Sequence, residues 1–251
     1  MSGHNKWSTI KHKKAAVDAK RGKIFSRISK EIIVSVRQSG ADPNTNSTLR
    51  GLIQKARSEN MPSDNVERSI KRGTGDTDGV IIEELSYEGY APGGVALLVE
   101  SLSDNKNRTA AEVKHAFTRH GGNLAAQGSV SRLFRRKGQI SVAEESAKED
   151  TLMELVLEAG AEDMALEDGQ FNIVTEPADF MTVVDALNQA DIPTTVSELT
   201  MIPDITVPVT EYSKATSLIK FIEALEDLDD VQNVYSNFDL DDDLMKKLEG
   251  E

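Results

Sequence analysis

The hydrophobic period of this chain changes once, across Gly73-Thr-Gly-Asp-Thr-Asp-Gly79, and that change limits the folds open to it. Before this segment the apolar residues recur at helical spacing. At about 100° per residue, Phe25, Ile28, Ile32 and Val36 share one sector of a helix expected over about 15–38 and stopped by Gly40. Lys23, Arg27, Lys30 and Arg37 fall on the opposite side, so one stripe is expected to pack and one cationic stripe to face out. A second helix is expected over 47–59, with Leu49, Leu52, Ile53 and Ala56 on one face. Asn60-Met61-Pro62-Ser63 breaks it. The third, over 63–72, carries Asp64 and Glu67 where the helix dipole favours anions, and Lys71 and Arg72 before the stop at Gly73. Residues 1–78 therefore read as a basic, all-helical domain.

Beyond the glycine-rich segment strands and helices alternate. Strands are expected at 84–87 and 95–101 around Ala91-Pro-Gly-Gly94, a helix at 108–120 before Gly121-Gly122, and a strand at 129–135. A strand at 139–142, a helix at 151–159, a hairpin of 165–167 with 171–174, a helix at 178–189 and a strand at 197–201 complete a β-α-β-β-α-β order. In that arrangement two helices cover one face of an antiparallel sheet. Pro203 and Pro208 mark a crossing, followed by a strand, a helix at 213–225 and a strand at 231–235. The fold class expected is α+β in three domains: an all-helical N-terminal domain followed by two small α+β domains with antiparallel sheets, the third inserted in the second. The boundaries are 1–78, 79–137 plus 206–240, 138–205 for the inserted ferredoxin-like domain, and 241–251 for a frayed acidic tail.

Charge is segregated along the chain. Residues 1–78 carry a balance of +8, residues 79–137 of +2, and residues 138–251 of −23, within a net charge of −13. Ten cations lie in residues 1–37 against only Asp18 and Glu31. Such an end repels itself unless a polyanion meets it. Screening confines the opposing acidic part to roughly 8–10 Å, so the basic arm can act where the fold keeps that part farther away. Trp7, the one tryptophan, stands between Lys6 and Lys11. It either stacks on a base or buries its indole in the helical domain. Asn107, Arg108 and Arg132, within a polar cluster running from Asn105 to Lys137, either extend the footprint or pair internally with the acidic domain. The helices at 47–59 and 63–72 have a helix-turn-helix look, with Arg68, Lys71 and Arg72 on the second, although a packed helical hairpin fits their turn better.

Catalytic constellations are missing from the sequence. Neither phosphate-cradling glycine signature occurs, and Gly73-x-Gly75 is an isolated fragment. Asp76-x-Asp78-Gly79 lacks the spacing and terminal Glu of a calcium loop. His4, His12, His115 and His120 show no zinc-type pairing, and the chain has no cysteine for disulfides or thiolate metal sites. No catalytic residue, no metal and no cofactor are expected. The start Met-Ser-Gly-His-Asn-Lys-Trp lacks an apolar signal-peptide region, and the apolar run Val95–Val99 is too short for a membrane. The expectation is a cytoplasmic monomer with no membrane partner.

Four stretches resemble a known family. Gly3-His4-Asn5-Lys6-Trp7-Ser8-x-Ile10-Lys11, Asp18-Ala19-Lys20-Arg21-Gly22-Lys23, Tyr87-Glu88-Gly89-Tyr90-x-Pro92-Gly93-Gly94, and Gly121-Gly122-Asn123-Leu124 followed by Gly128-Ser129-Val130-Ser131 are similar to the signatures of the YebC/PmpR family over essentially the full length. The resemblance implies three domains, a cytoplasmic location and no enzyme activity. It implies a DNA-binding transcriptional regulator or a ribosome-directed translation factor that relieves stalling on proline-rich sequences. The family's N-terminal motif positions map onto Lys6, Trp7, Lys11, Lys13, Lys14, Lys20, Arg21 and Lys23. With Arg27 and Lys30 of the cationic stripe, these are the residues expected to bind DNA or ribosomal RNA. The remaining reading is an enzyme with an acidic cleft.

Overall fold

Why the three N-terminal helices pack on one another follows from their apolar faces. The computed structural model of the chain describes residues 18–75, 81–167 and 169–249. α1 (Asp18–Ser39) turns Ile28, Ile32 and Val36 onto Leu49 and Ala56 of α2 (Ser47–Ser58) and onto Met61. Ile70 of α3 (Ser63–Gly73) packs against the same cluster. Asn46 ties the first two helices together. Its side-chain oxygen accepts from Leu49 N at 2.9 Å, capping α2, while its amide donates to Ser35 O at 3.0 Å and Gly40 O at 2.8 Å. Gly73 is more than a helix stop: a Cβ there would lie 2.6 Å from Val36 Cβ, so the glycine lets α3 approach α1.

The chain divides into two compact units, 18–129 with Thr210–Tyr235, and Val130–Val209 with 236–249. Beside the three helices, the first unit holds a four-stranded sheet in the order β3-β1-β2-β9, from β1 (Glu83–Tyr90), β2 (Ala96–Ser103), β3 (Asn123–Leu124) and β9 (Val231–Ser236). β1 is antiparallel to both β2 and β3. α4 (Lys106–Arg119) and α7 (Tyr212–Glu226) pack together, with Phe117 and Phe221 edge to face at 5.0 Å.

The second unit is the expected β-α-β-β-α-β arrangement. Its strands are β4 (Phe134–Ala143), β5 (Ala161–Glu167), β6 (Gln170–Thr175) and β7 (Val196–Pro203), ordered β5-β6-β4-β7 with every pairing antiparallel. α5 (Glu149–Glu158) and α6 (Phe180–Gln189) close one face over Ile140, Val142, Phe171 and Ile173, using Leu152, Val156, Val183 and Leu187. Because β9 joins the first sheet only after this second sheet is complete, the second sheet is an insertion in the first. A parallel pair of short strands, β8 (Val207–Pro208) and β10 (Phe238–Asp239), belongs to the same unit.

Two expectations fail. The strands expected at 129–135 and 139–142 are one strand, β4, preceded by a single 3-10 turn over Ser131–Leu133. Gly138 lies inside that strand: a Cβ there would lie 2.3 Å from Thr175 Oγ1 and 2.5 Å from Phe180 Cδ2, so the glycine marks a close approach. Gly138→Val should cost about 1–3 kcal/mol of stability by overpacking, read as a lower urea midpoint at unchanged slope. The C-terminal segment is not frayed either. α8 (Asp242–Glu249) buries Leu244, Met245 and Leu248, an i, i+1, i+4 face that outweighs the acidity of the segment.

Candidate nucleic-acid interface

Lys6, Trp7, Lys11, Lys13 and Lys14 lie outside the described residues, as do the side chains of Lys20 and Arg21 on the first turn of α1. The three remaining cations are placed. Lys23, Arg27 and Lys30 sit at i, i+4 and i+7 on α1, one stripe by helical geometry. The stripe does not face out. It meets the turn between α7 and β9. Lys23 Nζ donates to Asp227 O at 2.7 Å, Arg27 donates to Glu226 O, and Lys30 Nζ donates to Asp229 O at 3.0 Å. The carbonyls of Glu226 and Asp227 lie at the C-terminal end of α7, where the helix dipole is negative and cations are favoured, and that of Asp229 lies in the turn beyond it. Asp227 adds an exposed ion pair to Lys23 at 3.5 Å, which contributes little by itself. Burial lowers the pKa of Arg27 from its ordinary value, with Glu31, Asp227 and Asp229 opposing.

Asp230 anchors this contact. Its carboxylate, 2% exposed, accepts from Lys30 Nζ at 2.8 Å, Arg108 Nη2 at 2.6 Å, Thr109 Oγ1 at 2.7 Å and Ser103 Oγ at 3.2 Å. Burial disfavours its charge, but the hydrogen bonds from Lys30, Arg108 and Thr109 outweigh burial and hold its pKa down to about 2. Two of the expected site residues, Lys30 on α1 and Arg108 on α4, thus converge on one buried acid. Arg108 also pairs with Asp104 at 2.9 Å, and its pKa is raised chiefly by the hydrogen bond to Asp230. Nothing local marked Asp230. The available signal was the acidic run Glu226-Asp227-Leu228-Asp229-Asp230 directly after a helix.

The second polar cluster separates. Arg135 pairs with Asp204 at 3.1 Å, and Lys137 with Glu162 at 2.7 Å and Glu176 at 2.5 Å, so these two cations answer the acidic inserted segment. Asn107 and Arg132 are exposed, and Arg132 has no side-chain partner among the described residues. On α3, Arg68, Lys71 and Arg72 are exposed and likewise unpaired among the described residues. His115 is exposed, whereas His120 stacks on Phe221 at 5.1 Å, and burial, followed by Arg119, lowers its pKa. Among the described residues no three His, Asp or Glu side chains are grouped to hold a metal. No described helix is long and apolar enough to cross a membrane.

Comparison with known proteins covers nearly the whole chain. The family model described as TACO1/YebC protein N-terminal domain matches residues 5–76, and that of the TACO1/YebC second and third domain matches residues 82–238. A probable transcriptional regulatory protein of Natranaerobius thermophilus is 53% identical over 249 residues, covering 98% of this chain and 99% of that protein. One of Trichlorobacter lovleyi is 53% identical over 248 residues, covering 99% of this chain and 100% of that protein. The crystal structure of a conserved hypothetical protein from Aquifex aeolicus superposes with a TM-score of 0.81 at 45% identity, covering 90% of this chain and 93% of that one.

Proposed function

Since this chain belongs to the TACO1/YebC family, we propose that it is a regulator of gene expression that binds nucleic acid through its basic N-terminal segment. Its first reading is a DNA-binding transcriptional regulator, acting in the cytoplasm as a monomer and without a catalytic step. The observation that carries it is the concentration of ten cations against two anions in residues 1–37 of a chain whose net charge is −13. Relatives over the full length bear the name probable transcriptional regulatory protein, which supports the same reading. Lys6, Lys11, Lys13, Lys14, Lys20 and Arg21 supply phosphate contacts, and Trp7 supplies a stacking face. Asn107 and Arg132, both exposed, are the secondary contacts of this reading, whereas Arg108 is held by Asp104 and Asp230.

Two observations favour a second reading, a factor that binds ribosomal RNA and relieves stalling on proline-rich sequences. The helix that would enter a major groove, α3, begins with Asp64 and Glu67, both exposed, and carboxylates there repel the phosphates that flank the groove. A lone tryptophan among lysines suits irregular single-stranded RNA, where stacking and phosphate contacts dominate.

Sedimentation of lysates at two salt concentrations, with RNase or with DNase, separates the readings. Loss of fast-sedimenting protein on DNase treatment is the result expected of the transcriptional regulator. Co-migration with ribosomes that survives DNase but not RNase sinks the DNA reading and leaves the ribosomal one.

A further inference from the structure

The cationic stripe of α1 already meets an array of oxygens. Three carbonyls at the end of α7 and in the turn after it, with the carboxylates of Asp227 and Asp230, are spaced to receive Lys23, Arg27 and Lys30. Anionic oxygens in a row are also what a phosphate backbone presents to lysine and arginine. This contact is polar, while the apolar cluster of α1, α2 and α3 is complete without it. Beside Lys30 a cleft of about 410 Å³ opens, lined on the helical side by Phe25, Ile33 and Arg72 and on the sheet side by Ile82 and Asp104. The helices and the sheet are therefore not close-packed at this contact, unlike a continuous core. The chain passes from α3 to β1 through residues 74–82, rich in glycine and aspartate.

We propose that the α7–β9 turn is an internal competitor for the polyanion. It holds the cationic stripe of α1 in the free protein and yields it when nucleic acid binds. This rests on the reading that the N-terminal cations bind nucleic acid. The turn lowers affinity by the fraction of molecules in which the stripe is held, and it selects against weak or short polyanions that cannot displace it.

Two measurements on the full chain test this, with a labelled single-stranded RNA and a DNA duplex of the same sequence as probes. The exposed carboxylates of the turn are removed in Asp227→Asn/Asp229→Asn, leaving Asp230 in place. Binding should tighten about threefold, the scale of exposed ion pairs, because the backbone carbonyls of the turn remain as acceptors. The charge-matched control Asp150→Asn/Glu154→Gln, on α5, should change affinity by less than half that factor. An equal gain in the control overturns the proposal, because net charge alone then explains the effect. The second measurement uses the absence of cysteine from the chain. A Lys23→Cys/Asp227→Cys variant is bridged with a short bis-maleimide, and binding is compared before and after bridging. Bridging should weaken binding about tenfold. Unchanged affinity overturns the proposal. If the turn variants bind as the parent does while Lys11→Glu/Lys13→Glu/Lys14→Glu does not bind, the competitor is refuted and nucleic-acid binding by the arm stands. If that triple variant binds normally, the underlying reading itself fails.

Discussion

Replacing Lys11, Lys13 and Lys14 together by glutamate should abolish nucleic-acid binding while leaving the thermal transition of the chain unchanged. The three lysines lie in residues 1–37, where ten cations face two anions, and each reversal turns a phosphate attraction into a repulsion. If the segment neutralises about six phosphates, affinity of the parent falls about a thousandfold between roughly 50 and 200 mM salt. The triple reversal removes half of those contacts and replaces them with repulsions, so binding should be lost across the whole salt series. Filter binding across a salt series reads both quantities. A variant that keeps the parent's affinity and slope shows that the contact lies elsewhere, with the exposed cations of α3 as the next place to look.

Asp230→Asn should have the largest effect on stability. The carboxylate it replaces receives Lys30, Arg108, Thr109 and Ser103, and an amide turns two of its own hydrogens toward these donors. The cost should be about 2–3 kcal/mol, below that of a fully buried broken pair because Lys30 and Arg108 keep access to water. Its pH dependence has a definite sign. With the folded pKa held down to about 2, the unfolded chain binds the extra proton first as pH falls. The stabilisation is therefore complete above about pH 4, the ordinary aspartate range, and is lost as pH drops toward 2. Urea midpoints at pH 6 and at pH 3 check this. The gap between parent and variant should be wide at the higher pH and narrower at the lower. A gap independent of pH would show that packing rather than charge is what Asp230 contributes.

The apolar stripe Phe25, Ile28, Ile32 and Val36 was legible because helical period is a local property, and its last three members are buried in the helical cluster. The cationic stripe was equally legible as a pattern, but its direction was not. A wheel places Lys23, Arg27 and Lys30 opposite the core, where solvent is the default neighbour. Their acceptors lie about two hundred positions away, on a turn that only the returning helix α7 and strand β9 bring alongside. The division of β4 into two strands and the fraying of the C-terminal segment failed for related reasons. β4 is continuous only because β7 pairs along it on both sides of Gly138, and an acidic segment reads as frayed unless a surface receives Leu244, Met245 and Leu248. The resemblance, by contrast, rested on contiguous motifs and is matched by family models over residues 5–76 and 82–238.

What the sequence by itself determined is the set of elements whose signals are local. These are three N-terminal helices before a glycine-rich segment, a β-α-β-β-α-β order after it, and a charge split that concentrates the cations at one end. What only the tertiary structure decided is which partner those charges meet within the chain. It gathered Lys30, Arg108 and Asp230 from three distant stretches onto one buried carboxylate and set Lys23 and Arg27 against the end of α7. The physical reason is that period and composition act over a few residues, whereas an ion pair between residues about two hundred positions apart exists only once the intervening sheets have folded and closed that distance.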